Sequence, residues 1–187
     1  LRWNHPERAE IAPDDFIPVA EEIGAIVPIG EWVLREACRA AANWPKNVSI
    51  AVNVSTIQFQ VPNLPAVVRD ALSQSGLEAH RLEHEITETA FLRNRHTALK
   101  ALHEIRALGV RIAMDDFGTG YSSLSNLKAF PFDKIKIDKS FVASISDDEA
   151  ARSIVRAIIG LGRSFNMPIV AEGVETQEQR QMLLDEG

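Results

Sequence analysis

The sequence predicts an α/β fold in which parallel strands close into a TIM-like (β/α)8 barrel. Strand and helix patterns alternate along its 187 residues, and a polar side chain stands near the C-terminal end of each of five successive predicted strands. Repeated strand–helix units favour a parallel sheet. A barrel gathers its strand ends around one rim, whereas an open doubly wound sheet spreads them along a line. The polar side chains at the strand ends are therefore stronger evidence for a closed barrel than the alternation of strands and helices is.

The helices are predicted from apolar residues that recur on one face. The first helix carries such a face at Phe16, Val19, Ala20 and Ile23, and a second is predicted from about residue 29 to 44, before Pro45. Two later stretches, 99–108 and 154–159, show the same period. Gly76 and Gly109 stand where helix C-caps are expected.

Five segments alternate apolar and polar residues and are predicted as strands: 48–55, 82–88, 110–116, 134–138 and 168–174. If the more apolar face of each strand packs on helices, the opposite face carries one polar residue per unit: Asn53, Glu85, Asp115, Lys136 and Glu172. These five side chains are expected to converge at the mouth of the barrel, where catalytic residues of such barrels lie.

Composition and charge limit the class of protein. With 45% hydrophobic and 25% charged residues, we expect one globular domain over residues 1–187. The net charge of −6, without a run of lysine or arginine, argues against a DNA or RNA polymer as ligand. Cys38 is the single cysteine, so an intramolecular disulfide is excluded and a core position is expected. We expect a cytoplasmic location, with membrane tethering open through domains outside this chain.

The acidic residues predict a hard metal site. Asn53, Glu85, Asp115 and Asp116 offer only oxygen donors, which Mg²⁺ and Mn²⁺ prefer over zinc. Asp115 and Asp116 are adjacent and repel each other, which a bound cation would relieve. The structural alternative is a set of solvated strand ends and helix caps. His80 and His84 are four residues apart, but His84 falls in a strand pattern, so no shared metal is expected there.

Five motifs, taken together, resemble those of the EAL-domain family of bacterial cyclic-di-GMP phosphodiesterases. They are NVS at 53–55, EITE at 85–88, DDFGTGYSSL at 115–124, KIKIDKSF at 134–141 and AEGVET at 171–176. Residues 1–3 also resemble the end of the opening EALLRW-type segment of that family. The resemblance implies a TIM-like barrel that hydrolyses one phosphodiester bond of cyclic di-GMP and gives linear pGpG.

The resemblance also implies roles for the residues at the strand ends. Asn53, Glu85 and Asp115 would hold one Mg²⁺ or Mn²⁺ ion, and Asp115, Asp116 and Glu172 would bound a second. Lys136 would orient the attacking water or the phosphate, its alternative being an ion pair with Asp138 or another acid of the rim. Glu172 would act as a general base with one metal or as a ligand with two. The expected catalytic residues are Glu172, Lys136 and Asp116.

Further residues are implied in binding and in shaping the site. The loop that contains Gly118, Thr119 and Gly120 would fold over the metals, anchored by Glu88, for which a helix N-terminal acid is the structural alternative. Arg2 and Glu175 are expected to contribute to substrate binding, Arg2 through its guanidinium group.

The resemblance also defines what is expected around the chain. The glutamate of the EAL signature would precede Leu1, and a strand with a QGY-like sequence would follow Gly187, so the barrel in residues 1–187 is expected to be incomplete. A homodimer and a sensory or GGDEF-type domain are the expected partners besides cyclic di-GMP. The alternative function is an inactive cyclic-di-GMP receptor or protein-interaction module. A sugar- or aldol-processing barrel would not need the paired aspartates.

Overall fold

A five-stranded parallel sheet with helices packed against it forms the centre of the structure. The structure is a computed structural model and describes residues 1–7, 9–87, 95–119, 127, 129–130 and 132–187. The strands in this part of the chain are β1 (Trp3–His5), β2 (Ala9–Ile11), β3 (Ile50–Asn53), β4 (Leu82–Thr87), β5 (Arg111–Phe117), β6 (Lys134–Ile137) and β7 (Ile169–Ala171). The helices are α1 (Pro13–Glu22), α2 (Ile26–Ala42), α3 (Leu64–Ser75), α4 (Arg95–Ala107), α5 (Lys139–Ala143), α6 (Glu149–Phe165) and α7 (Gln177–Glu186).

The order of the strands in the sheet is the order of the strands in the chain. β3, β4, β5, β6 and β7 are neighbours in that sequence, and each adjacent pair is parallel. A doubly wound sheet reverses its strand order at a switch point, but these strands progress in one direction only. With crossovers of constant hand, the helices then all lie on one face and the opposite face becomes the inside of a barrel. The predicted TIM-like arrangement is therefore confirmed.

The ends of the elements follow local backbone chemistry. Gly76 ends α3 in a left-handed conformation (φ 71°) and donates its N–H to Leu72 O at 2.9 Å, as its position predicted. Strand β7 is shorter than predicted, since Gly173 turns the chain at φ 67°. Helix α2 begins three residues earlier than predicted and ends at Ala42, with Asn43 as its C-cap.

An antiparallel hairpin of β1 and β2 precedes α1 and was not predicted from the sequence. Its strands have three residues each, too few to display a period of two. The hairpin contacts α1 through Trp3, whose ring lies edge-on to Phe16 with centroids 5.6 Å apart. This contact fixes the hairpin on the first helix.

The hydrophobic core lies between the sheet and its helices. Side chains of the outer sheet face, such as Leu82, Ile86 and Ile112, pack with Val68 of α3 and Leu102 of α4, and all five are fully buried. Removing this surface from water is the main stabilising contribution. Cys38 is also fully buried, as expected, and burial raises the pKa of its thiol to about 11. None of the helices in the described residues has the length and hydrophobicity to cross a bilayer.

Candidate metal centre

Three carboxylates from different strand units meet on the inner face of the sheet. Glu85 lies near the end of β4, Asp115 lies in β5, and Glu172 directly follows β7. One oxygen of each side chain lies within 4.8 Å of the others. Parallel pairing accounts for this convergence, because it aligns the carboxyl ends of successive strands at the same edge. The acids could together hold a metal ion.

Lys136 of β6 places its ammonium group between these three acids. Its Nζ lies 2.6 Å from Glu85 Oε1, 3.0 Å from Asp115 Oδ1 and 2.5 Å from Glu172 Oε1. Burial opposes the charged form, but hydrogen bonds to Glu172, Glu85 and Asp115 outweigh it and raise the pKa of Lys136. The alternative of an ion pair with Asp138 or another acid of the rim is thus realised with Glu85, Asp115 and Glu172.

A distortion of β5 directs the second aspartate towards the site. In a regular strand Asp115 and Asp116 would point to opposite faces. Asp116 instead has a φ of 53°, and the pairing of β5 with β6 shifts register between Met114 and Phe117. Such a bulge turns a side chain out of the strand alternation. Asp116 thereby approaches Asp138, with which it forms a side-chain hydrogen bond.

The pKa values of the neighbouring carboxyl groups of Asp116 and Asp138 are shifted in opposite directions. Partial burial, the charges of Asp115 and Asp138, and the hydrogen bond to Asp138 raise the pKa of Asp116 to about 6. Partial burial acts to raise the pKa of Asp138 as well, but hydrogen bonds from the hydroxyl and backbone N–H of Ser140 lower it. Between these two groups Asp116 is the one that holds a proton more readily. A bound cation would favour its ionised form.

Asp138 is the acid of this rim to which sequence reasoning gave no role of its own. It follows β6 and also caps α5, where its carboxylate accepts the Ser140 N–H at 2.9 Å. The signal was present in the sequence, because residues 134, 136 and 138 share one strand parity. The contact of Asp138 with Asp116 depends on the distortion of β5, which the strand alternation does not predict.

Asn53 lies beside the cluster at the end of β3. Its Cα is the register partner of Glu85, and the next residue continues the ladder through Val54 N–H to Glu85 O at 2.9 Å. The Asn53 side chain is exposed. The pairing therefore brings the predicted amide ligand next to the first acid of the cluster.

A second charged pair lies below the cluster on the same face of the sheet. Lys134 Nζ is 2.8 Å from Glu83 Oε2, two residues before Lys136 and Glu85 on their strands. Glu83 is buried, and Lys134 neutralises its charge. This ion pair occupies the inner face of the sheet, below the three carboxylates of the cluster.

Arg2 and Glu175 have contacts elsewhere. Arg2 Nε lies 3.4 Å from Glu10 across the β1–β2 hairpin. Glu175 donates its backbone N–H to Gln179 Oε1 at 2.8 Å, ahead of the capping box that begins α7. Neither side chain contacts the three carboxylates among the described residues. Their part in substrate binding stays a prediction.

The loop after β5 begins with a close contact to α5. Gly118 has a φ of 100°, and a Cβ at this position would lie 3.0 Å from Phe141 Cε2. Thr119 Oγ1 donates to Asp116 O at 2.8 Å, which ties the loop to the distorted end of β5. The predicted anchor Glu88 and the loop residue Gly120 lie outside the described residues.

A family model described as the EAL domain matches residues 1–187. The chain belongs to the EAL domain family. This EAL domain is 59% identical over 179 residues to a signalling protein of Caulobacter vibrioides, covering 96% of the chain and 22% of that protein. It is 46% identical to the bifunctional diguanylate cyclase/cyclic di-GMP phosphodiesterase MucR of Pseudomonas aeruginosa, covering 98% of the chain and 27% of MucR.

A solved structure of the MucR phosphodiesterase in a c-di-GMP complex has the same fold as this EAL domain. The TM-score is 0.94 at 45% identity, and the match covers all of this chain and 77% of that one. This EAL domain spans about a quarter of the length of the curated relatives it matches. Its fold is that of a TIM-like barrel, in agreement with the strand order.

Proposed function

We infer that this EAL domain hydrolyses one phosphodiester bond of cyclic di-GMP and releases linear pGpG, with Mg²⁺ or Mn²⁺ as cofactor. The observation that carries the proposal is the meeting of Glu85, Asp115 and Glu172 around one point, with the Lys136 ammonium among them. Family membership and the MucR phosphodiesterase with its c-di-GMP complex support the choice of substrate.

The donor set fits a small hard cation. The described residues that surround the point offer carboxylate oxygens, to which Asn53 would add an amide oxygen. Asn53, Glu85 and Asp115 would hold one ion, and Asp115, Asp116 and Glu172 would hold a second where two are bound. A bound cation of this kind lowers the pKa of a coordinated water and neutralises phosphate charge.

Lys136 and Glu172 are assigned the other roles in the reaction. Lys136 presents a fixed positive charge inside the site, suited to hold a phosphate oxygen or an attacking water as a point charge. Glu172, the most exposed of the three acids, is placed to accept a proton from that water. The water oxygen forms a bond to phosphorus, the bond from phosphorus to the ribose 3′ oxygen breaks, and that oxygen leaves with a proton as the 3′ hydroxyl of pGpG.

The full-length protein incubated with cyclic di-GMP and Mg²⁺ or Mn²⁺ provides the test. We expect pGpG by chromatography, no product after chelation, and little product with Ca²⁺, whose larger radius and looser coordination activate water less. Equal rates with Ca²⁺, or full activity in the presence of a chelator, would contradict the metal role. Binding of cyclic di-GMP without turnover under all metals would favour the receptor function instead.

The partners proposed for the full-length protein are a second copy of the chain and a sensory or GGDEF-type domain. MucR carries a diguanylate cyclase activity beside its phosphodiesterase, and its length beyond the match leaves room for further domains. Light scattering of the full-length protein measures its mass in solution and so tests the homodimer. A mass equal to one chain at micromolar concentration would exclude the homodimer under those conditions.

A further inference from the structure

The turn of residues 54–60 leaves β3 directly after Asn53. The pairing of β3 with β4 places Asn53 beside Glu85. Because Asn53 is the last residue of β3, its position also depends on what holds this turn.

Side-chain contacts fasten the turn to α1. Ser55 donates its hydroxyl to Glu21 Oε1 at 2.5 Å, and the same Oγ accepts the N–H of Ile57 at 3.2 Å. The Ser55 N–H in turn donates to Gln58 Oε1 at 3.1 Å. Ser55, two residues after Asn53, thus ties the turn to the carboxylate of Glu21 in α1.

Gln58 fastens the same turn to α2. Its side chain is 6% exposed, and the carboxamide lies so close to Gly30 that a Cβ on that glycine would overlap it. Glycine in the interior of a helix lowers helix stability, so Gly30 is explained by this close approach rather than by α2 itself. The sequence pairs a helical glycine with a buried glutamine on the neighbouring turn.

We propose that Glu21, Ser55 and Gln58 are positioning residues that set the affinity of the metal site by holding Asn53 beside Glu85. The inference rests on the proposed function, because it takes Asn53 as a metal ligand. Loss of the Ser55 hydroxyl frees the turn from α1, and Asn53, two residues earlier, follows the turn. Partners that orient metal ligands change metal affinity by about 10- to 100-fold when they are removed.

Mn²⁺ titration of the full-length protein by calorimetry tests this inference. We expect Ser55→Ala to weaken Mn²⁺ binding by about tenfold. The matched control is Ser75→Ala, because Ser75 Oγ also accepts an N–H two residues on, from Leu77 at 3.2 Å, and donates to a backbone carbonyl, but lies at the end of α3. We expect this control to bind Mn²⁺ as the wild type does.

A double-mutant cycle separates positioning from general loosening of the fold. In an Asn53→Ala background the Ser55→Ala change is expected to have no further effect on Mn²⁺ affinity, because it acts through Asn53. An equal tenfold loss in both backgrounds overturns the inference. Wild-type protein that binds no Mn²⁺ overturns the proposed function and this inference with it, whereas normal wild-type binding with an additive cycle overturns the inference alone.

A second variant tests the inference even if the Ser55→Ala protein does not fold. Gly30→Ala introduces the Cβ that displaces Gln58, and we expect a loss of Mn²⁺ affinity that again vanishes in the Asn53→Ala background. Gly160→Ala on α6 is the control, since a Cβ there meets nothing within 4 Å. Unchanged affinity of Gly30→Ala would contradict the part assigned to Gln58.

Discussion

Lys136 Nζ lies 3.0 Å from Asp115 Oδ1, on the neighbouring strand of the sheet. The lysine therefore neutralises part of the negative charge at the point where a cation is proposed to bind. Two further carboxylates share the same ammonium group, so its removal would leave three acids facing one another.

We predict that Lys136→Met destabilises the chelator-treated protein by about 2 kcal/mol, because it leaves buried acids without their counter-charge. Mn²⁺ is then expected to raise the thermal midpoint more in this variant than in the wild type, since the ion replaces the missing charge. Differential scanning calorimetry with and without Mn²⁺ measures both. The control is Lys134→Met, which breaks the Glu83 pair below the site and should gain no extra stabilisation from Mn²⁺.

We predict that Asp115→Asn lowers the turnover of cyclic di-GMP by about a thousandfold or more while the fold is kept. The substitution removes the charge proposed to be shared by both ions, but an amide oxygen still accepts the Asp116 N–H that Asp115 accepts at 3.1 Å. Relief of the repulsion with Asp116 should keep the thermal midpoint unchanged or raise it. Loss of cooperative unfolding would instead assign Asp115 a structural role.

We predict that Gly118→Ala destabilises the protein more than Gly24→Ala. Both glycines have positive φ angles, 100° and 75°, so both alanines carry backbone strain of about 1 kcal/mol. Only the Cβ at position 118 also crowds Phe141, whereas position 24 has open space. Urea unfolding gives the two free energies, and equal values would contradict the contact. Turnover should fall for Gly118→Ala alone, since its loop adjoins Asp116.

We predict that His84 makes the fold sensitive to acid. Its ring is buried on the helix-facing side of β4, and no ring nitrogen has a hydrogen-bond partner of good geometry among the described residues. Burial lowers the pKa of His84 to about 4, against a smaller opposite effect of the Val52 backbone. The unfolded chain takes up this proton near pH 6.5, so the free energy of unfolding decreases as the pH falls from 6.5 to 4.

The size of this effect is about 2 kcal/mol between pH 7 and pH 5. It is measured as the part of the pH dependence that disappears in His84→Leu, by urea unfolding in the presence of a chelator. His80→Gln is the control, because His80 is an exposed histidine on the 3₁₀ turn before β4. An identical pH dependence in wild type and His84→Leu would contradict the assignment.

The sequence was sufficient for the residues whose positions follow from regular strands. Glu85, Asp115, Lys136 and Glu172 were predicted to converge because side chains alternate with a period of two and parallel strands align their ends. The direction of Asp116 could not be obtained in this way, since it depends on the register shift in β5. A bulge is set by the pairing of two strands and by the turn that follows, which local pattern does not encode.

Two other features required tertiary structure. The β1–β2 hairpin is held by the contact of Trp3 with α1, while its strands are too short to show a period. The contact of Asp138 with Asp116 depends on the positive φ of Asp116 and the register shift of β5, neither of which follows from the sequence pattern. In both cases the deciding contact comes from another element of the fold.

The identity of strand order and chain order has a consequence for biosynthesis. Glu85 and Asp115 leave the ribosome before Lys136, and Glu172 emerges last, so a growing chain can pair β4 with β5 while their two acids lack a counter-charge. Docking of β6 then supplies both hydrogen bonds and the ammonium group in one step. We expect the nascent domain to become resistant to protease only after β6 has cleared the exit tunnel, and Glu172 to join a sheet in which the Lys136 ammonium is already in place.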